Sequence, residues 1–141
     1  QANEAMPSYA VDLLEGLHGP LAGERVVVLG ASYRGGVKET AFSGVFPTVT
    51  ELKTRGADVQ VHDPLYDDEE LIALGFQPYW LGQPVDAAII QADHDMYRNL
   101  SPDDLPGIRS IVDGRRITDS RAWPGVAHRF IGGLTSDGKS Q

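Results

Sequence analysis

A glycine-rich loop with one aromatic and one basic residue is the first segment of the chain that could bind a ligand. Residues 30–36 read Gly-Ala-Ser-Tyr-Arg-Gly-Gly and follow an apolar run. Arg34 offers a planar guanidinium that can donate two hydrogen bonds to a phosphate, and the ring of Tyr33 could stack on a base or a sugar. Gly35 and Gly36 allow close backbone approach. The alternative is a flexible turn with a solvated arginine, and these residues alone leave both open.

The same part of the sequence lacks the usual signs of a dinucleotide site. Ala31 and Ser32 follow Gly30, so neither G-x-G-x-x-G nor a P-loop is present. Asp63 ends the second apolar run, where many dinucleotide-binding folds place an acidic group on a ribose hydroxyl. Because Pro64 follows, we favour a helix cap or turn former at Asp63.

Two consecutive arginines form the second candidate site. Residues 113–116 read Asp-Gly-Arg-Arg and follow a later apolar run. In a chain with a net acidic balance, Arg115 and Arg116 together predict a site for an anion such as a diphosphate. The alternative is that one of these arginines pairs with the nearby Asp119.

The residue types that would catalyse a reaction are missing or poorly placed. The chain has no cysteine, so it supplies no thiolate nucleophile. His94 lies between two aspartates but has no second metal ligand at helical or hairpin spacing, so we favour a strand-end histidine that caps a helix. The serines lack a G-x-S-x-G setting. We therefore predict no catalytic residue and no metal site in this chain.

Alternating strand and helix patterns must position the two arginine loops. The apolar residues of segment 6–17 recur at helical spacing, whereas segment 25–30 is a continuous β-branched run typical of a strand buried on both faces. Further strands are predicted at 59–63, 86–91, 108–113 and 129–132, with helices at 43–55, 67–74 and 96–100 and a weak segment at 76–80.

This alternation predicts an α/β fold, a three-layer Rossmann-like doubly wound, mostly parallel sheet with helices on both faces. Ligands collect at the carboxyl ends of the strands in such sheets. The loops that carry Arg34 and Arg116 both follow strands. We therefore expect them at the same edge of the sheet.

Composition restricts the partners. The formal net charge is -8 and the basic residues are not clustered, so we expect no nucleic acid partner. The longest apolar runs are only strand-sized, which argues against a membrane span. The absence of cysteine and of a basic-then-apolar leader leads us to expect a cytoplasmic protein.

Several segments, in order, resemble the carboxyl-terminal domain of the UDP-glucose/GDP-mannose dehydrogenase family, which oxidises nucleotide sugars with NAD. The similarity covers about residues 3–132. It rests on Met6-Pro7, segment 25–30, Tyr33-Arg34, Ser43, Val-His-Asp-Pro at 61–64, Ala-Asp-His-Asp at 92–95 and Val-Asp-Gly-Arg-Arg at 112–116.

The resemblance implies a UDP-sugar-binding domain without its own catalyst. In the family a helical dimerisation domain joins it to an amino-terminal NAD domain, and the catalytic residues lie in those parts. Tyr33 and Arg34 match an aromatic-lysine pair that contacts the nucleotide sugar, and Arg116, next to Arg115, matches an arginine that reaches the ligand. The implied parent acts on UDP-glucose or UDP-ManNAc with NAD, and the isolated domain is expected to be inactive.

The same resemblance divides the chain and indicates one departure. Residues 1–18 would end the inter-domain helix, residues 19–134 would form the UDP-sugar domain and residues 135–141 a flexible tail, and a homodimer is compatible with this organisation. Ala41 replaces a family arginine that faces the cofactor, which weakens the expectation of a standard NAD contact. The alternative function is an assembly or interaction module that kept the fold without the ligand and associates through helix 6–17.

Overall fold

Five parallel strands form the centre of the molecule. A computed structural model of the chain describes residues 2–41 and 43–131. The strands run in the spatial order β2-β1-β3-β4-β5, and each neighbouring pair is parallel. Their bounds are β1 Arg25–Leu29, β2 Asp58–His62, β3 Ala87–Ile90, β4 Ser110–Asp113 and β5 Ala127–Phe130.

Within residues 2–41 and 43–131, three α-helices and three short 3₁₀ helices connect or precede these strands. The α-helices are α1 Ala2–His18, α2 Val45–Thr54 and α3 Asp68–Ala73. The 3₁₀ helices span Asp95–Asn99, Pro102–Asp104 and Ser120–Ala122. Among the described residues, no helix has the length and apolar character needed to cross a membrane.

Both faces of the sheet are buried, as the apolar run of β1 predicts. Val26 and Val28 belong to one apolar cluster together with buried residues of all three α-helices. Val27 and Leu29 point to the other face, where they share a second cluster with Tyr97 and Trp123. The predicted doubly wound architecture is therefore confirmed, with the second face covered by 3₁₀ segments.

The short helix predicted at 96–100 is present as the 3₁₀ helix Asp95–Asn99. The connection from β3 to β4 includes Pro102 and Pro106, and Gly107 follows with a φ of +87°. Proline removes a helical hydrogen bond and this glycine conformation ends a helix, so long α-helices do not form there.

A local sequence signal explains where α3 begins. The Asp67 side chain accepts a hydrogen bond from the Glu70 N–H, and the Glu70 side chain accepts one from the Asp67 N–H. This pair of bonds is a capping box, and it begins α3. Segment 76–80 adds one parallel bridge to β2, between Val61 and Pro78. β5 begins two residues before the predicted 129–132 strand, whose last residue lies outside the described part.

Helix α1 lies within residues 1–18, the first part of the predicted domain division. Ala10, Val11 and Leu14 of α1 are buried in the first cluster, so this helix packs on the same core as the sheet. The continuation of residues 1–18 as an inter-domain helix stays a prediction. The domain end at 134 and the flexible tail 135–141 lie outside the described residues.

Candidate functional site

The loops after β1, β3 and β4 lie side by side at the carboxyl edge of the sheet. β1 has β2 on one side and β3 on the other, so the chain changes direction across the sheet between β1 and β3. In open α/β sheets a ligand crevice forms at such a switch point. The sequence prediction that the two arginine loops share one edge is confirmed.

The loop after β1 packs directly on the loop after β3. The Gly35 N–H donates to Asp93 Oδ1 over 2.6 Å. A Cβ at Gly35 would overlap the Asp93 carbonyl and lie 2.7 Å from His94 N, so this position requires glycine. Gly35 was expected to allow a close approach to its backbone. The group that approaches it is Asp93 of the same chain.

Asp63 organises the start of the same loop. Its Oδ2 accepts hydrogen bonds from Ala31 N at 2.8 Å, from Ser32 N and Oγ at 3.0 Å, and from His94 Nε2 at 2.8 Å. Its Oδ1 accepts from Leu65 N at 2.8 Å. Burial alone raises the pKa of Asp63, but these donors outweigh burial and hold the pKa at about 2.

This network decides between the two interpretations of Asp63. The contact with Leu65 makes Asp63 a turn former, as favoured, whereas Asp67 caps α3. The Asp63 side chain is 0% exposed and surrounded by donors of its own chain. A ribose hydroxyl therefore has no access to this carboxylate.

His94 does not cap a helix with its side chain, so that prediction was wrong. It occupies the N-cap position of the 3₁₀ helix Asp95–Asn99 without a side-chain capping bond. Its Nδ1 instead accepts from the Gly36 N–H at 3.1 Å. Because an amide N–H only donates, the ring proton lies on Nε2 and is donated to Asp63.

Sequence reasoning missed this pairing of Asp63 with His94. The usable signal was that both residues follow strands that flank β1, Asp63 directly and His94 after a short turn. Within the described chain, no group of three or more His, Asp or Glu residues has an arrangement that could hold a metal ion.

The predicted ligand residues Tyr33 and Arg34 lie at the outer surface of the loop. Tyr33 is 53% exposed and Arg34 is also exposed. The Tyr33 N–H donates to the Glu39 carbonyl at 2.6 Å, which fixes the backbone beside the two side chains. Both side chains can therefore reach a ligand without breaking a buried contact.

The two arginines after β4 point in different directions. The Arg115 Nη1 donates to the Gln91 carbonyl at 3.3 Å, and its Nη2 lies 3.6 Å from Asp93 Oδ1. Arg116 has a φ of 57°, and its guanidinium lies 4.7 Å from the centre of the Phe130 ring on β5. Arg115 is thus the arginine that lies toward the loop of Arg34.

The alternative pairing of these arginines with Asp119 does not occur. Asp119 instead binds Arg121 in its own turn, with Nη2 and Oδ2 2.7 Å apart. Buried Asp113 shapes the loop by accepting from the backbone of Arg115 at 3.0 Å and of Thr118 at 2.8 Å.

A cleft of about 480 Å³ opens beside these loops. It lies between the loops after β1, β2 and β3, and its lining residues include Asp93 and His94. Gly35, Gly36, Pro64, Leu65, Asp95, Met96 and Arg98 complete its lining. Its wall is both polar and apolar, and the predicted ligand residues Tyr33, Arg34, Arg115 and Arg116 are not part of it.

A serine, a histidine and a carboxylate also meet at the opposite edge of the sheet. His18 Nδ1 lies 2.9 Å from Ser110 Oγ, and its Nε2 lies 2.7 Å from Glu24 Oε1. Ser110 is only 2% exposed and the His18 side chain 1%, so a substrate does not reach them. This cluster joins the end of α1 to the start of β4.

Comparison with known proteins decides the family. A sequence model described as the UDP binding domain of the UDP-glucose/GDP-mannose dehydrogenase family matches residues 27–121. The chain belongs to this family. The resemblance identified from the ordered segments is confirmed, and the matched stretch contains all four predicted ligand residues, Tyr33, Arg34, Arg115 and Arg116.

Relatives in this dehydrogenase family are longer than the chain. The UDP-N-acetyl-D-mannosamine dehydrogenase of Methanocaldococcus jannaschii is 26% identical over 129 residues, which cover 86% of this chain and 28% of that protein. A UDP-glucose dehydrogenase structure from Pyrobaculum islandicum has a TM-score of 0.74 at 30% identity, covering 89% of this chain and 29% of that one. The chain thus spans less than a third of these relatives.

A further structure supports the fold of this family domain. The UDP-D-ManNAc dehydrogenase of Pyrococcus horikoshii superposes with a TM-score of 0.69 at 24% identity, covering 92% of this chain and 31% of that one. At this identity the likeness concerns the fold. It agrees with the parallel sheet described above.

Proposed function

We propose that the chain is the UDP-sugar-binding domain of an NAD-dependent nucleotide-sugar 6-dehydrogenase of the UDP-glucose or UDP-ManNAc type. The match to the UDP binding domain of the family supports the ligand class. The names of the relatives support the sugar types. The reaction itself belongs to the whole protein, of which this chain corresponds to a part.

The observation that carries the proposal is the placement of Arg34 and Arg115. Both lie at the carboxyl edge of the sheet, in loops that share Asp93 as a common contact. A diphosphate seated there would receive two guanidinium groups, and the exposed Tyr33 ring offers a stacking surface beside it. Arg116 is a further candidate, provided that its side chain leaves the Phe130 ring.

NAD does not fit the residues of this chain. The loop after β1 lacks the dinucleotide glycine spacing, and Asp63 is closed to a ribose. We therefore place NAD, which accepts the hydride when bound, on a part of the protein beyond this chain. The catalytic residues that the family resemblance implies are placed there as well, since this chain offers no cysteine as a nucleophile.

The role of this chain is then binding and orientation. Its remaining proposed partners are the NAD domain and the dimerisation domain of the same protein, and a second copy in a homodimer. We keep a cytoplasmic location as a prediction, supported by the cysteine-free sequence.

Titration calorimetry of the 141-residue chain tests the proposal. UDP-glucose and UDP-ManNAc should each release or absorb heat with saturable binding, whereas NAD alone should not. GDP-mannose in a parallel titration examines the choice of nucleobase. The absence of any heat with millimolar UDP, GDP or their sugars would contradict the proposal.

A second candidate, an assembly module, is favoured by one surface feature. Tyr9 on α1 is 47% exposed, next to the partly buried Leu13 and Leu17. Because Leu13 packs on the core, Tyr9→Asp is the cleaner substitution. A ligand-insensitive oligomer that dissociates in this variant during sedimentation would favour assembly, and a monomer that binds UDP would favour the first function.

A further inference from the structure

We propose that His94 is a positioning residue, and that it acts with Asp63 to hold residues 30–36 in the conformation that binds the ligand. We refer to Asp63 and His94 as the anchor pair. This inference rests on the proposed function, because it assigns the loop of Tyr33 and Arg34 to the nucleotide sugar. It concerns two residues that are themselves buried.

The anchor pair holds the loop at both ends. Asp63 binds the backbone of Ala31 and Ser32 at the beginning. His94 binds the Gly36 N–H at the end, with Asp93 on the neighbouring Gly35. The residues between these points, Tyr33 and Arg34, are exposed.

The two members of the pair also fix each other. His94 is 3% exposed and uses both ring nitrogens, one toward Asp63 and one toward Gly36. The Tyr97 ring meets the imidazole edge-on, with the ring centres 5.5 Å apart. The imidazole therefore has one orientation and one tautomer in which all of its contacts are made.

Such an anchor has a direct effect on affinity. The loop has no regular secondary structure, and fixing its backbone in one conformation costs conformational entropy. In the folded protein the anchor pair already orders part of the loop before any ligand binds. Without it, the ligand must order the loop, and affinity falls.

Two substitutions separate the hydrogen bonds of His94. In His94→Asn the amide oxygen can take the place of Nδ1 and accept a hydrogen bond from the Gly36 N–H. The shorter side chain does not extend to Asp63, so that hydrogen bond is lost. In His94→Gln the amide nitrogen can take the place of Nε2 and donate to Asp63, while the contact with Gly36 is lost. Loop positioning predicts a larger rise in the Kd for UDP-glucose with Gln than with Asn.

We expect His94→Gln to raise this Kd by about tenfold, as the loss of one buried hydrogen bond would. His18→Gln is the matched control, because the His18 side chain is as buried as that of His94 and both of its ring nitrogens form side-chain hydrogen bonds at the opposite edge of the sheet. It should lower the Tm and leave the Kd unchanged. Calorimetry separates a loss of folded protein from a loss of affinity, because partial unfolding lowers the apparent stoichiometry and a weaker site raises the Kd.

The outcomes distinguish this inference from the proposed function. If the wild-type chain binds UDP-glucose and both His94 variants bind it with the wild-type Kd, the anchor role is wrong while the proposed function stands. If the wild-type chain does not bind, the proposed function fails and the inference fails with it.

A measurement on the wild-type chain covers the case in which the variants do not fold. NMR order parameters of the ligand-free chain should be near 0.85 for residues 31–36, like those of rigid backbone. Values below about 0.6 in this loop would overturn the inference. The ¹⁵N shifts of the His94 ring should also show the proton on Nε2.

Discussion

Gly35 and Asp93 are joined by a 2.6 Å hydrogen bond from the glycine N–H to Oδ1 of the carboxylate. The same oxygen lies 3.6 Å from the Arg115 guanidinium, so one carboxylate connects three strand-end loops. The hydrogen bond from Gly35 lowers the pKa of Asp93, and the nearby charge of Arg115 lowers it further. Partial burial acts in the opposite direction, but the pKa stays below its usual range. Asp93 is therefore ionised when it makes these contacts.

The contact predicts that Gly35→Ala weakens both folding and UDP-sugar binding. The new Cβ would overlap the Asp93 carbonyl, and the loop must shift to relieve the clash. We expect a loss of about 1–3 kcal/mol in the free energy of unfolding. Urea denaturation and calorimetry measure the two effects.

Gly16→Ala is the matched control for that experiment. Gly16 lies within α1, and a Cβ there meets nothing within 4 Å. It should stabilise the helix by about 0.5–1 kcal/mol and leave binding unchanged. Equal effects of the two substitutions would contradict the close packing of Gly35.

Asp63 should make the chain sensitive to acid. Its pKa is about 2 in the folded chain, against a usual value of 3.8. A lowered pKa stabilises the fold by about 2 kcal/mol above pH 4. This contribution is lost as the pH falls from 4 to 2.

Asp63→Asn tests this dependence. The variant should be less stable at pH 7 and should lose less stability than the wild type between pH 4 and pH 2, measured by urea unfolding. Asp58→Asn, at the exposed start of β2, is the control. Parallel pH curves for wild type and Asp63→Asn would argue against the network around Asp63.

Arg116 should carry a local backbone cost. Its φ of 57° lies in the left-handed region, which costs a residue other than glycine about 1 kcal/mol. Arg116→Gly and Arg116→Ala both remove the contact with Phe130, and only glycine relieves the backbone. The glycine variant should be about 1 kcal/mol more stable than the alanine variant in thermal unfolding.

The same two variants also report on the ligand. If the Arg116 side chain binds the nucleotide sugar, both variants should lose affinity equally despite their different stabilities. Unchanged affinity in both would remove Arg116 from the site.

Arg34 and Arg115 should each contribute a charged contact to UDP-sugar binding. We expect Arg34→Ala and Arg115→Ala to weaken binding by about 1.5–3 kcal/mol each, and Arg34→Lys to weaken it less because the charge remains. Calorimetry at two salt concentrations measures the losses. Lys53→Ala in the last turn of α2 is the control, and an equal loss there would indicate a nonspecific charge effect.

The fold was largely predictable because its signals are local. The apolar run of β1 and the helical spacing of α1 are visible in the sequence, and the capping residues Asp67 and Glu70 give the start of α3. The start of β5 was less clear. All four of its residues are partly or fully exposed, so no buried apolar pattern defines this edge strand.

The candidate site was predictable only in its position. The rule that loops meet at strand carboxyl ends places Arg34 and Arg115 at one edge. The bond between Asp63 and His94 joins residues 31 positions apart, and it depends on both flanking β1 through the strand order. The direction of Arg116 depends on a left-handed backbone that its residue type does not favour.

The most direct test of the proposed nucleotide-sugar site is an NMR titration of the ¹⁵N-labelled chain with UDP-glucose. The account predicts that amide shifts concentrate in residues 30–36, 92–95 and 113–116, and that NAD at the same concentration leaves these amides unchanged. No shift in these three loops with millimolar UDP-glucose, or shifts confined to α1, would contradict it.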